Sequence, residues 1–206
     1  MEDILDLYEE PFSNDYPVVC FDETPFQLVE ELRAPIPTSP GNSQRYDYEY
    51  KRAGSVNIFG FLQPLGGWRH MKVTDRRTRK DFAECMKELV DEHFPSAEKI
   101  RLVLDNLNTH TPGSLYQTFA PEEARRILKK IDFHFTPKHA SWLNMIEIEF
   151  SVLMSQCLKR RIGIDKKLKS EISAWSKERN ERKATIVWGF TNTHAREKMK
   201  RSYLSK

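Results

Sequence analysis

Two short apolar runs, each closed by an aspartate, constrain this chain more than any other feature. Tyr16-Pro-Val-Val-Cys-Phe-Asp22 and Lys99-Ile-Arg-Leu-Val-Leu-Asp105 are rich in β-branched and aromatic residues and read as buried strands. A carboxylate directly after several apolar residues sits at the edge of a core, where it needs a partner or a cation to stay ionised. A single aspartate of this kind is explained by a turn or a helix cap. Two, on neighbouring strands, point to a site at strand carboxyl ends, where open α/β sheets assemble theirs.

The rest of the chain fits such a sheet. Residues 1–16 read as a short helix or an irregular lead-in. Residues 33–53, with Pro35, Pro37, Pro40 and Gly41, read as a long loop. Residues 55–62 form a second strand, Gly66-Gly67 a turn, and residues 68–73 a returning third strand. Helical periodicity runs from Thr78 to His93, with Phe82, Met86, Leu89 and Val90 on one face and Pro95 as the stop. Pro121 to Ile131 reads as a helix with Pro in its first turn, and residues 131–135 as a strand closed by Thr136-Pro137. Long helices are expected over Trp142–Arg161, Ile164–Arg182 and His194–Tyr203. This order predicts an α/β fold with a central five-stranded mixed sheet flanked by helices.

Charge narrows the function. The net charge of +3 conceals an asymmetry: residues 1–50 carry 12 acids and 2 bases, a local charge of −10, and the remaining 156 residues carry +13. A basic body suggests a polyanion partner. No apolar run approaches the roughly 20 residues of a spanning helix. The acidic start, Met1-Glu2-Asp3-Ile4, lacks the basic and apolar regions of a secretory signal. Cys20, Cys85 and Cys157 are odd in number and widely spaced, which predicts free buried thiols in a reducing, cytoplasmic compartment.

A third acid comes from His139-Ala-Ser-Trp-Leu-Asn-Met-Ile-Glu-Ile-Glu-Phe-Ser151. Leu143, Ile146, Phe150 and Leu153 make an apolar helix face, and Ser141 or Asn144 is the expected cap. Glu147 adjoins that face, with Asn144 one turn before it. Glu149 lies about 200° away from Glu147 around the helix, so one of the two points inward and the other outward, and Glu149 stays open as the rival. Three converging carboxylates without a His or Cys cluster make a hard-oxygen site suited to Mg²⁺ or Mn²⁺. A pair of such ions activates a water or a 3′-hydroxyl and stabilises the leaving oxygen of a phosphodiester.

The segments Val18-Val-Cys-Phe-Asp-Glu-Thr24, Leu102-Val-Leu-Asp-Asn-Leu-Asn-Thr-His110 and Phe135-Thr-Pro-Lys-His-Ala-Ser-Trp-Leu-Asn-Met-Ile-Glu147, with the tail from Trp188 to Arg201, resemble the catalytic domain of the bacterial IS630 group of transposases, related to the Tc1/mariner transposases. The resemblance spans nearly the whole chain. It implies a ribonuclease-H-like fold and a triad of acids, Asp22, Asp105 and Glu147, which are both catalytic residues and metal ligands. The implied chemistry is Mg²⁺-dependent cleavage of DNA at transposon ends, with Mn²⁺ able to substitute and two ions bound, then transfer of the 3′-hydroxyl into target DNA. A homodimer is a family expectation. Asn106 and Asn144 are candidate partners of the carboxylates or of a scissile phosphate. His110 is a candidate for contacting a phosphate or orienting Asp105, with a core histidine as the plain alternative. Lys138, His139, Arg160 and Arg161 are candidate contacts to the DNA backbone, with a solvated helix face as the plain alternative.

Two departures stand out. The 41 residues between Asp105 and Glu147 exceed the superfamily's usual spacing, and the excess is expected in a helix and loop over residues 112–130. Only about 16 residues precede the first strand, too few for a three-helix DNA reader. The chain is therefore expected to be a single catalytic domain, 1–206, with an acidic lead-in over 1–16 and a C-terminal helical part over 163–206, lacking the N-terminal helix-turn-helix domain of such transposases. The competing readings are an inactive or truncated transposase-derived DNA-binding domain and another ribonuclease-H-like nuclease. A two-carboxylate glycosidase does not explain the bases.

Overall fold

A computed structural model describes residues 1–200. The sheet has the order β3-β2-β1-β4-β5. Strands β1 (Val18–Glu31), β2 (Tyr50–Gln63) and β3 (Trp68–Thr74) form an antiparallel meander, and β4 (Ile100–Leu104) and β5 (Ile131–Phe135) join parallel to β1. The result is a mixed five-stranded sheet with helices on both faces, as the sequence predicts. Around it lie α1 (Glu2–Glu9), α2 (Arg79–Glu88), α3 (Pro112–Thr118), α4 (Pro121–Lys130), α5 (Ile146–Gln156), α6 (Asp165–Glu181) and α7 (Asn192–Lys198). The expected tail helix to Tyr203 is described only through α7, and residues 201–206, including Arg201, Tyr203 and Leu204, lie outside the described residues. No described helix is long and apolar enough to cross a membrane.

Alternation along β1 sorts its side chains into two cores. Val19 and Phe21 face α2, packing with Phe59, Phe61 and Phe82. Cys20 faces the other way, into the core built by Ile146, Phe150 and Leu153 of α5. All three cysteines are free and buried.

The first strand is longer than the sequence suggests. β4 pairs with β1 only over Val18–Cys20, while β2 follows β1 from Cys20 to Glu31. Asp22 is therefore not at the end of its strand; it lies just past the last parallel pair, where the five-stranded sheet narrows to a ribbon. Beyond that point β1 has one open edge, which is why it accommodates Pro25.

The acidic lead-in is a docked helix. Ile4 and Leu5 of α1 are fully buried, and the Tyr8 hydroxyl donates to the Leu143 carbonyl at 2.8 Å. Its acids meet the basic body: Glu10 pairs with Arg101, Asp3 with His134 at 2.9 Å and Glu2 with Arg196 at 2.8 Å.

The expected helix from Trp142 to Arg161 is broken. A 3₁₀ turn over Ser141–Leu143 is followed by Asn144 in extended conformation, and α5 begins only at Ile146. Asn144 caps nothing: its side-chain amide donates to the Phe21 carbonyl at 2.8 Å, a tertiary bond that outweighs local helix propensity. It also lies outside α5, so it does not share a helix face with Glu147. The stretch between Asp105 and the third acid contains two short helices, α3 and α4, where one helix and a loop were expected.

Candidate active site

Asp22, Asp105 and Glu147 come together where β1, β4 and α5 meet. Asp22 lies on the α5 side of β1 and is 8 % exposed. Its ladder partner is Gly60, and a side chain there would meet the Phe150 ring at 2.7 Å. That bare backbone lets α5 lie close against β2, which brings Glu147, in the first turn of α5, toward β1. Asp105 follows the last residue of β4 and is partly exposed.

The three carboxyls repel one another. Burial pushes Asp22 up to about 7; the Glu23 amide, donating at 2.8 Å, opposes this, and the charges of Asp105, Glu23 and Glu147 add to it. Glu147 is also raised, by partial burial and by Asp105. Among the described residues no cation pairs with Asp22 or Glu147. An all-oxygen donor set of mutually repelling carboxylates, without a protein cation for two of them, fits a hard divalent ion.

Glu149 is committed elsewhere. It is fully buried, 2.8 Å from Arg69 Nε and 2.7 Å from Arg179 Nε. Arg69, also buried, donates further to the Gly67 and Ala184 carbonyls. Glu149 is thus the inward-facing member of the pair and ties α5 to β3 and α6, while Glu147 is exposed on the site side.

His110 is fully buried, and both ring nitrogens are engaged, Nδ1 with Asp105 Oδ1 at 2.6 Å and Nε2 with Glu23 Oε2 at 2.9 Å. Contact with a phosphate is thereby excluded; the geometry is that of an orienting group. Burial disfavours the imidazolium, but the bonds to Asp105 and Glu23 outweigh it and raise His110 to about 9. The same bond holds Asp105 below the usual carboxylate range. The ring packs against Phe21 and Phe82, at centroid distances of 5.4 and 5.0 Å.

Glu23 is the member that sequence reasoning missed. Strand alternation places it on the opposite face from Asp22, and only the fold shows that the segment after β4 returns His110 beneath it. Asn106 is exposed beside Asp105. Asn144 is buried with its Oδ1 unpartnered. Lys138 and His139 are exposed in the loop before the 3₁₀ turn, His139 with φ of 64°. Arg160 and Arg161 are held by protein partners: Arg160 pairs with Glu171. Arg161 is 2.7 Å from Glu31 and stacks over the Tyr50 ring at 5.2 Å.

Asp22 on β1, Asp105 just past β4 and Glu147 on α5 thus form one cluster of acids at the edge of a mixed sheet. Residues 17–169 match the family of DDE superfamily endonucleases, and the chain belongs to that family. Among solved structures, the chain is similar to the Mos1 mariner paired-end complex with Mn and to the Mos1 transposase paired-end complex with left transposon end. Each has a TM-score of 0.58 at 14 % identity, over 89 % of this chain and 55 % of that one. The Mos1 strand transfer complex matches with a TM-score of 0.57 over the same shares. The chain thus spans about half the length of the transposase chains whose fold it shares. Among curated proteins none matches it.

Proposed function

We propose that this chain is the catalytic domain of a DNA transposase that cleaves phosphodiester bonds at transposon ends and joins the freed 3′-hydroxyl to target DNA. The observation that carries the reading is the convergence of Asp22, Asp105 and Glu147 with no protein cation for Asp22 or Glu147 among the described residues. These three carboxylates would hold two Mg²⁺ or Mn²⁺ ions, which supply Lewis-acid activation of the attacking oxygen and stabilise the leaving one.

The protein's own groups do the remaining work. Asp22 is fixed by the Glu23 amide and by its pairing with Gly60 in the ladder to β2. The His110 imidazolium, braced by Glu23, holds Asp105 ionised and in one orientation, as an outer-shell partner does. Asn144 locks the start of α5 to the carbonyl next to Asp22, so Glu147 and Asp22 keep a common frame. Asn106, next to Asp105, and the exposed Lys138 and His139 are the side chains we assign to the DNA backbone, and the +13 body offsets the site's negative charge toward a polyanion.

Similarity to transposase–DNA complexes supports DNA ends and target as substrates. A homodimeric assembly in the bacterial cytoplasm, with the terminal repeats read by a DNA-binding region outside these 206 residues and the whole chain acting as one catalytic domain, completes the proposal. Incubation with supercoiled plasmid tests the enzyme reading. Nicking is expected with Mg²⁺ or Mn²⁺ and is expected to stop on chelation; intact plasmid under every divalent-ion condition would favour an inactive DNA-binding relative.

A further inference from the structure

The sheet face opposite Asp22 carries a second polar cluster that the nuclease reading does not use. His70 on β3 is the ladder partner of Phe61, whose ring belongs to the core beneath α2, so His70 points to the α2 side. At the end of α2 the helix widens into a π turn over Leu89–His93, closed by the Phe94 amide donating to the Leu89 carbonyl at 3.0 Å. Residues five apart stand about 140° apart around an α-helix. The i→i+5 register of a π turn brings them toward one face, and so brings His93 to Glu88.

As a result, Nε2 of His70 and Nε2 of His93 converge on one atom, Oε1 of Glu88, at 3.0 and 3.5 Å. Both nitrogens are shielded from solvent, and neither makes a well-directed hydrogen bond. The two rings lie 4.4 Å apart, walled by Trp68 at 5.0 Å from His93. Lys72 Nζ holds the other carboxylate oxygen, Oε2, at 2.6 Å, which fixes the carboxylate with Oε1 turned to the imidazoles.

We propose that His70, Glu88 and His93 bind one divalent transition-metal ion of the zinc class, at a site separate from the three acids. The donor atoms lie within 4.8 Å of one another, and an ion about 2.0–2.2 Å from each ligand can bridge such a group after small side-chain shifts. Two imidazoles and one carboxylate suit Zn²⁺, Co²⁺ or Ni²⁺, whereas Mg²⁺ and Ca²⁺ prefer oxygen alone. Three protein donors leave the fourth position of a tetrahedral ion to a water. The ion would clip β3 to the end of α2 and give the π turn a purpose: a regular helix would carry His93 away from Glu88. Lys72 opposes a cation electrostatically but acts on Oε2, leaving Oε1 to the metal.

The test uses the full chain, stripped with a chelator and titrated with Zn²⁺, with Co²⁺ as a spectroscopic probe. One tight Zn²⁺ per chain is expected, retained in Asp105→Asn and not displaced by millimolar Mg²⁺. Affinity should fall by at least about 100-fold in His70→Gln and in His93→Gln, beyond the effect of losing an outer-shell partner. Zn²⁺ should raise the Tm of the wild type but not that of His93→Gln. Absence of Zn²⁺ binding to the folded wild type, displacement by Mg²⁺, or unchanged affinity in both histidine variants would overturn the proposal. Should His93→Gln fail to fold, His70→Gln and Glu88→Gln decide: weaker Zn²⁺ binding in either supports the site, and unchanged binding in both refutes it.

Discussion

At the residue scale the site stores electrostatic strain in Asp22. Its carboxyl titrates near 7 in the folded chain, against roughly 3.9 when unfolded. Between these values the folded state holds a proton the unfolded state has lost, so without metal its stability falls as pH rises from about 4 to 7. Asp22→Asn should remove this penalty: denaturation without divalent ions is expected to show a gain on the order of 2–4 kcal/mol at pH 8 that vanishes near pH 4. A loss of stability at pH 8 would contradict this. His110 has the opposite sign. Its raised value, about 9, means that its ion pairs stabilise fully below pH 6.5 and that this stabilisation is lost as pH rises through 9. His110→Ala would leave Glu23, whose side chain is 2 % exposed, with Arg77 at 3.5 Å as its one cation among the described residues. It should cost about 3–5 kcal/mol at pH 6 and less at pH 10, as pH-resolved urea denaturation would show.

At the element scale, contact between β2 and α5 decides whether the triad forms. A Cβ at Gly60 would stand 2.7 Å from the Phe150 ring and 3.0 Å from Ile146, and Phe150 is too buried to move cheaply. Gly60→Ala should therefore shift α5, destabilise by about 1–3 kcal/mol and depress cleavage more than DNA binding; wild-type Tm and turnover together would refute this. The strands bearing Asp22 and Asp105 were legible because a short apolar, β-branched run has to be buried, and the charge that closes it has to lie where the core ends. The helix carrying Glu147 was legible from its apolar face, but its start was not: Asn144 breaks it through a bond to Phe21, 123 residues earlier in the chain, and local periodicity carries no trace of such a partner. Glu149 could not be separated from Glu147 until Arg69 and Arg179, distant in sequence, arrived beside it. The π turn was hidden as well, since Phe82, Met86, Leu89 and Val90 fit an ordinary helix.

At the scale of the whole molecule, the acidic lead-in and the basic body are parts of one charge plan. The acids of α1 and its cap Glu10 pair with His134, Arg196 and Arg101, and Arg160 and Arg161 are taken up by Glu171 and Glu31. The surface left for DNA is smaller than the arithmetic of +13 suggests. Binding should still be chiefly electrostatic. Log affinity plotted against log salt should be linear with a slope of about −0.9 per phosphate neutralised, and a salt-independent affinity would rule out this mode.

The central claim is that Asp22, Asp105 and Glu147 perform metal-dependent phosphodiester cleavage while Glu149 only holds the fold. Plasmid nicking with Mn²⁺ or Mg²⁺, normalised to folded protein, tests it for Asp22→Asn, Asp105→Asn, Glu147→Gln and Glu149→Gln together. The first three should lose at least about 1,000-fold in rate, or ~4 kcal/mol. Glu149→Gln should melt at a lower temperature yet still nick. Wild-type nicking by Asp105→Asn, or a silent Glu149→Gln beside an active Glu147→Gln, would contradict the account.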